Sequence, residues 1–320
     1  MNVNGTPTRT IAAGRDAVEI IDQTALPGVT RTLRLSTVEE LVDAVRRLAV
    51  RGAPALGVAG AMGVALAARS AGDAEESAYL VGLVETARPT AVNLARGARR
   101  AAARLSEGAD AVLAEALAVR DEEIANSAAM AVRGADLLGE LCGPALRLLT
   151  HCNTGGLAAV TGGTALGVVV ELHRRGALAG VIASETRPLL QGARLTAWEL
   201  GRAGVPFRVA VDGAGPFLMA RGEVDAVIVG ADRVCANGDV VNKIGTYAHA
   251  LGAKAAGIPF VVVAPESTVD DDTPAGSAVH IEDRDGAEVV AGVPAVNPAF
   301  DVTPHDLVTA IVTERRVIRP

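Results

Sequence analysis

At 320 residues the chain is long enough for one large domain or two of ordinary size. Half of its residues are hydrophobic and 21% are charged, a composition that excludes a disordered chain. A net charge of −7, with one Trp, two Tyr and four Phe, supplies neither a basic footprint nor stacking platforms, so nucleic acid is not an expected partner.

The opening "MNVNGTPTRT" has no apolar core and does not read as a signal peptide. The first strong element is "TVEELVDAVRRLAV". Thr37 and Glu40 stand in capping-box register, and Val38, Leu41, Val42, Val45 and Leu48 recur at helical spacing. "RGAP" then interrupts, and Pro54 suits the first turn of a second helix. The uncharged run Gly52 to Ala68 is diluted with glycine and alanine. It reads as a buried helix rather than a membrane span. Two alanine-rich helices are expected near 90–105 and 109–139, with Gly143-Pro144 as punctuation.

From about residue 145 short β-branched runs alternate with helical stretches: "LRLLTHC", "AGVIASE", "PFRVAVD", "DAVIVGAD" and "PFVVVAP". Such alternation predicts a parallel sheet covered by helices. The fold expected is α/β, with a mainly helical domain over 1–143 and a parallel-sheet domain over 144–320. Asp270-Asp271-Asp272 reads as a solvated loop.

In an open α/β sheet, ligands bind outside the carboxyl ends of the strands. Three predicted strands end in polar residues: His151-Cys152-Asn153, Glu185-Thr186-Arg187 with Gln191, and Asp232-Arg233. Cys142, Cys152 and Cys235 are odd in number and lack C-x-x-C spacing, which points to a reducing, cytoplasmic compartment. A free cysteine is most often a small buried hydrophobe. Cys152 differs in standing beside the N–H groups of a glycine turn that could hold thiolate charge. His151 adjoins it, but neighbouring strand residues face opposite ways, which disfavours a Cys-His dyad. Asp232 reads equally well as the cap of a following helix. The other histidines, at 173, 249, 280 and 305, lack metal-ligand spacing. "CNTGGLAAVTGG" matches neither dinucleotide nor P-loop fingerprints. Arg51, just before a helix N-terminus, together with Arg88 and Lys243, could hold an anion.

Together "VRGAPALGVAGA", "ARPTAVNL", "THCNTGGLA", "ETRPLLQGARLTAWEL", "GADRVCANGDVVNKIGTYAHA" and "NPAFDVTPHDLVTAIVTE" resemble the methylthioribose-1-phosphate isomerase family, from about Ile20 onward. Its wider superfamily includes ribose-1,5-bisphosphate isomerases and regulatory subunits of a eukaryotic guanine-nucleotide exchange factor. The resemblance implies a helical N-terminal domain, a Rossmann-like C-terminal domain, a cytoplasmic homodimer and no metal or organic cofactor. It implies a small phosphorylated sugar as substrate, in methionine salvage, with no nucleic-acid or membrane partner. Cys152 and Asp232 match the catalytic positions, with Asp232 as proton donor in an apolar recess. Arg51, Gly52, Ala53, Arg88, Gln191, Asn242 and Lys243 match substrate-contacting positions. Departures at Ala95-Arg96-Gly97 and at Asp212-Gly213-Ala214-Gly215-Pro216 are expected to reshape the pocket around the sugar's 5-substituent.

Overall fold

The computed structural model describes residues 2–3, 6–7, 9–14, 16–89 and 91–320. Met1, Asn4, Gly5 and Thr8 of the opening stretch, and Thr90 of the motif at Arg88, lie outside them. The chain forms two compact units: residues 1–126 with 156–161, and residues 127–155 with 162–320.

The first unit begins with strands that the sequence reading did not anticipate. A short pair, β1 (Asn2–Val3) and β2 (Thr6–Pro7), precedes an antiparallel sheet of β3 (Ile11–Ala13), β4 (Val18–Ile21) and β5 (Thr32–Leu35). The sheet's inner residues Ile11, Val18, Ile20 and Leu35 join one core with the helices that follow. Helix α1 (Val38–Arg46) starts in the expected capping box, Thr37 and Glu40 each binding the other's backbone N–H. Helix α2 (Ala53–Ser70) carries Pro54 in its first turn and is buried along most of its length. Helix α3 (Ala74–Thr86), also unanticipated, and α4 (Val92–Ala102) complete the group, and α5 (Ala109–Cys142) runs from this unit into the second.

Glycine sets how closely α2 and α4 cross. A Cβ on Gly60 would overlap the Leu94 carbonyl, and one on Gly97 would overlap that of Gly57. Gly97 therefore belongs to a helix crossing, which gives one member of the Ala95-Arg96-Gly97 departure a packing role instead of a pocket role.

The second unit carries all five strands expected from the β-branched runs: β6 (Leu146–Thr150), β7 (Leu178–Ser184), β8 (Phe207–Ala210), β9 (Ala226–Val229) and, later in the chain, β12 (Phe260–Val263). Helices α6 (Ala165–Arg174), α7 (Ala197–Arg202) and α8 (Ala214–Ala220) alternate with the first four. After β9 comes a hairpin of β10 (Arg233–Cys235) and β11 (Val240–Lys243), then α9 (Thr246–Ala256). Strands β13 (Val269–Asp270) and β14 (Phe300–Thr303) flank that hairpin in a four-stranded sheet, order β13-β10-β11-β14.

Strands β15 (Ala310–Val312) and β16 (Val317–Ile318) finish the main sheet, whose order is β16-β15-β12-β9-β6-β7-β8. Every pairing in it is parallel except β15–β16. Alternate residues feed separate cores: Leu148, Val181, Ile228 and Val261 on one side, Leu149, Ile182, Val227 and Val262 on the other. Both faces of the sheet are thus covered, as continuous apolar strands require.

Asp271 and Asp272 are exposed, as a solvated loop requires. Asp270 instead belongs to β13 and pairs with Arg233 at 2.6 Å.

Candidate active site

The main sheet runs outward in both directions from the β6–β9 pair: β7 and β8 follow β6 on one side, β12 and β15 follow β9 on the other. The order of the strands reverses at that pair, and such a switch point opens a crevice beyond the carboxyl ends. Cys152 follows β6 and Asp232 follows β9. Gly230 brings the two strand ends together, since a Cβ on it would stand 2.8 Å from Thr154 Cγ2.

Cys152 is nearly buried, 8% exposed, and sits at φ +62°, a left-handed conformation costly for a side-chain-bearing residue. Two threonines after β7 hold it there. Its N–H donates to Thr186 Oγ1 at 2.9 Å, and its carbonyl accepts from Thr196 Oγ1 at 2.6 Å. Thr186 is itself left-handed and donates its N–H to Asp212 Oδ1 at 2.8 Å. Asp212 also takes the Ser184 hydroxyl and the Arg187 N–H. Burial pushes the Asp212 carboxyl up, but these hydrogen bonds outweigh it and hold the group below its ordinary value. The Asp212 departure segment therefore contributes an anchor for the Cys152 turn, and Gly215 leaves room for the His249 ring. The next residue, Asn153, donates from Nδ2 to Glu199 Oε1 at 2.7 Å.

Asp232 departs from two expectations. It is exposed, not in an apolar recess, because it lies in the bend between β9 and the hairpin. Nor does it cap a helix. A strand follows it, and its own N–H donates to the Val241 carbonyl at 2.9 Å. The ladder of the hairpin stops at Arg233↔Val241, while on its other edge β11 sets Asn242 opposite Asp301 of β14. Opposed residues of antiparallel strands share a face, so Asn242 and Asp301 lie on one face of that sheet.

Asn242 is buried and donates from Nδ2 to Thr246 Oγ1 at 2.9 Å. Lys243 donates from Nζ to the Ala299 carbonyl at 2.7 Å, with its ammonium 4.7 Å from the centre of the Phe300 ring. Gln191 is buried at the entry to a π-helical turn, Gly192–Thr196. Its Oε1 has no hydrogen-bond partner among the described residues. Cys152, Gln191, Asp232, Asn242 and Lys243 thus all belong to the second unit.

In the first unit, Arg51, Gly52 and Ala53 lead into α2. Gly52, at φ +94°, lets the backbone pass against Ala158, whose carbonyl accepts from Ala55 N–H at 3.0 Å. Arg88 lies in the connection between α3 and α4. Among the described residues no three His, Cys, Asp or Glu side chains form a group able to hold a metal ion.

Sequence reasoning names Thr186 only as part of a polar strand end and Asp212 only as part of a departure segment, and it misses Thr196 and Asp301. Thr186 and Thr196 stand near the two ends of "ETRPLLQGARLT", a stretch whose polar residues also include Glu185, Arg187, Gln191 and Arg194, so nothing local singles them out.

A family model described as the initiation factor 2 subunit family matches residues 49–320. A protein of Nocardia farcinica, named as a probable bifunctional methylthioribose-1-phosphate isomerase/methylthioribulose-1-phosphate dehydratase, is 52% identical over 94% of this chain. This chain spans only 57% of that relative's length. The methylthioribose-1-phosphate isomerase of Anaeromyxobacter dehalogenans is 53% identical over 95% of this chain and 91% of its own. The 5-deoxyribose 1-phosphate isomerase of Moorella thermoacetica is 49% identical over 95% and 92%. The crystal structure of 5-methylthioribose 1-phosphate isomerase from Pyrococcus horikoshii superposes with a TM-score of 0.90 at 39% identity, covering 100% of this chain and 96% of that one.

Proposed function

The chain belongs to the initiation factor 2 subunit family, and from that premise we propose that it is an aldose–ketose isomerase, converting 5-methylthioribose 1-phosphate to 5-methylthioribulose 1-phosphate. The observation that carries the reading is the 53% identity to an isomerase of that name across 91% of its length. The placement of Cys152 and Asp232 beyond adjacent parallel strands, at the switch point, supports it chemically.

An aldose whose C1 oxygen is phosphorylated cannot open its ring as a free hemiacetal does. Asp232 donates a proton to the ring oxygen as the bond from C1 to that oxygen breaks. An exposed carboxyl does not keep its proton near neutral pH unaided, so the bound phosphate's negative charge has to raise its proton affinity. Cys152 acts at C2 by one of two routes. It takes the C2 proton, leaving an enol phosphate that is reprotonated at C1. Alternatively, it takes the C2 hydroxyl proton while hydride moves from C2 to C1. Deuterium at C2 separates them, being washed out to solvent in the first and retained at C1 in the second.

Gln191, Asn242 and Lys243 are carried as substrate contacts, and Lys243 supplies a cation for the phosphate. Arg51, Gly52, Ala53 and Arg88 keep the contacts that the family resemblance assigns them. The assembly carried with this reading is a cytoplasmic homodimer.

The test is turnover of 5-methylthioribose 1-phosphate by the wild type, Cys152→Ala and Asp232→Asn. Each substitution should remove about 10²–10⁴-fold or more of kcat, and near wild-type activity in either would remove that residue from the mechanism. A second reading, 5-deoxyribose 1-phosphate as the substrate, is favoured by the Moorella relative. Relative kcat/KM on the two sugars decides, since the methylthio group is worth only about 1–3 kcal/mol in an apolar pocket.

A further inference from the structure

One peptide group beside the candidate site is gripped at both ends by side chains. The carbonyl of Ile244 lies 2.8 Å from His151 Nε2, and the N–H of Gly245, on the same peptide, donates to Asp301 Oδ2 at 2.7 Å. A carbonyl can only accept, so His151 carries a proton on Nε2. The same Asp301 oxygen takes the Tyr247 N–H at 3.1 Å, adding the first turn of α9 to its hold. Gly245 stands at φ +104°, and a Cβ on it would come within 2.9 Å of His151 Cε1. The imidazole therefore packs directly on the glycine.

The gripped peptide lies between functional elements. Asn242 and Lys243 immediately precede it, and His151 immediately precedes Cys152. The residue just before the strand carrying Asp301 also steadies this loop: the Ala299 carbonyl accepts both the Ile244 N–H at 3.1 Å and the Lys243 ammonium at 2.7 Å. His151 is fully buried, and burial pushes its ring below the ordinary histidine value, so it acts as a neutral donor. Filling that space would need only an apolar side chain. A buried imidazole and a half-buried carboxylate carry a desolvation cost that packing alone does not explain.

We propose that His151 and Asp301 are paired positioning residues that fix the plane of the Ile244–Gly245 peptide and thereby aim Asn242 and Lys243 relative to Cys152. The consequence for turnover rests on the isomerase reading above, whereas the grip itself does not.

The test uses the full-length protein with His151→Phe, His151→Gln, Asp301→Asn and the double variant His151→Phe/Asp301→Asn. Gln places an amide N–H near the position of imidazole Nε2, whereas Phe removes the donor. Loss of that donor to a buried carbonyl is expected to lower kcat/KM on 5-methylthioribose 1-phosphate about tenfold or more, mainly through KM, and Gln should recover it to within about threefold. Because both side chains act on one peptide, the double variant should lose less than the product of the two single losses. Losses that multiply, or a Gln variant no better than Phe, would overturn the proposal.

Nitrogen-15 spectra of the imidazole provide a readout independent of activity. A proton on His151 Nε2 at pH 7 supports the grip, and an Nδ1–H tautomer, with no donor toward the Ile244 carbonyl, overturns it. If the wild type turns over no ribose 1-phosphate, the isomerase reading fails. These spectra, and the same double-variant cycle read in urea midpoints, still decide the grip.

Discussion

Thr196→Val probes how the Cys152 turn is held. The substitution keeps the shape of the side chain and deletes one hydroxyl. That hydroxyl donates to the Cys152 carbonyl at 2.6 Å and accepts from Asn153 Nδ2 at 3.3 Å, both in buried surroundings. Leaving a buried carbonyl without its donor costs about 1–3 kcal/mol. Holding Cys152 at φ +62° costs roughly 1–2 kcal/mol, so the lost hydrogen bond is of the same size as the strain it opposes.

The turn should therefore relax for part of the time into a conformation that misplaces the thiol. If the whole loss falls on that local equilibrium, kcat should drop about 5- to 150-fold. If it falls on global unfolding instead, the melting temperature should drop by about 2–4 °C per kcal/mol. Steady-state kinetics and calorimetry on Thr196→Val, with Thr196→Ser as the control that keeps the hydroxyl, separate the two. Unchanged kcat with a lowered melting temperature would show that the hydroxyl supports the fold and does not position Cys152. Unchanged values of both would refute the assignment of strain altogether.

Lys243→Ala should raise KM for the 1-phosphorylated sugar more than it lowers kcat, and an unchanged KM would argue against phosphate contact. Gly97→Ala forces a Cβ into the Gly57 carbonyl and should cost about 1–3 kcal/mol in urea unfolding; a loss confined to substrate preference would return Gly97 to the pocket. Burial holds the His249 ring down at about 3, so unfolding takes up a proton below the ordinary value of about 6.5 and stability is lost as pH falls from there toward 3. His249→Leu should flatten that limb by about 1.4 kcal/mol per pH unit, and a slope equal to wild type would count against a buried neutral ring. Burial pushes Asp301 the other way, up to about 6, so between roughly 4 and 6 the folded state holds the extra proton and stability falls as pH rises. Asp301→Asn should remove that opposing slope and make the rise in stability from pH 4 to 6 steeper, a change that urea midpoints at the two pH values would register.

What the sequence disclosed and what it hid divide along a physical line. Buried parallel strands are continuous β-branched runs, so "LRLLT", "GVIAS" and "AVIV" were legible, and the rule about strand ends then led to Cys152 and Asp232. The hairpin after Asp232 was legible in principle. "ANGD" holds the Asn-Gly turn signal, and Gly238 adopts φ +89° there. Its flanking strands are only three and four residues long, too short for an alternating pattern to mark them in the sequence. The hold on Cys152 left no such trace. Thr186 and Thr196 reach it across 34 and 44 residues of sequence, and a hydroxyl bonded to a distant backbone follows no local period. The same holds for His151 and Asp301, which meet at one peptide from β6 and β14. Local pattern reveals which residues are delivered to a sheet edge, whereas the conformation each adopts there is decided by partners that only the tertiary fold brings in. For Cys152 those partners are two hydroxyls opposing a strained backbone, so its φ angle should respond to changes at Thr196 that leave its own side chain untouched.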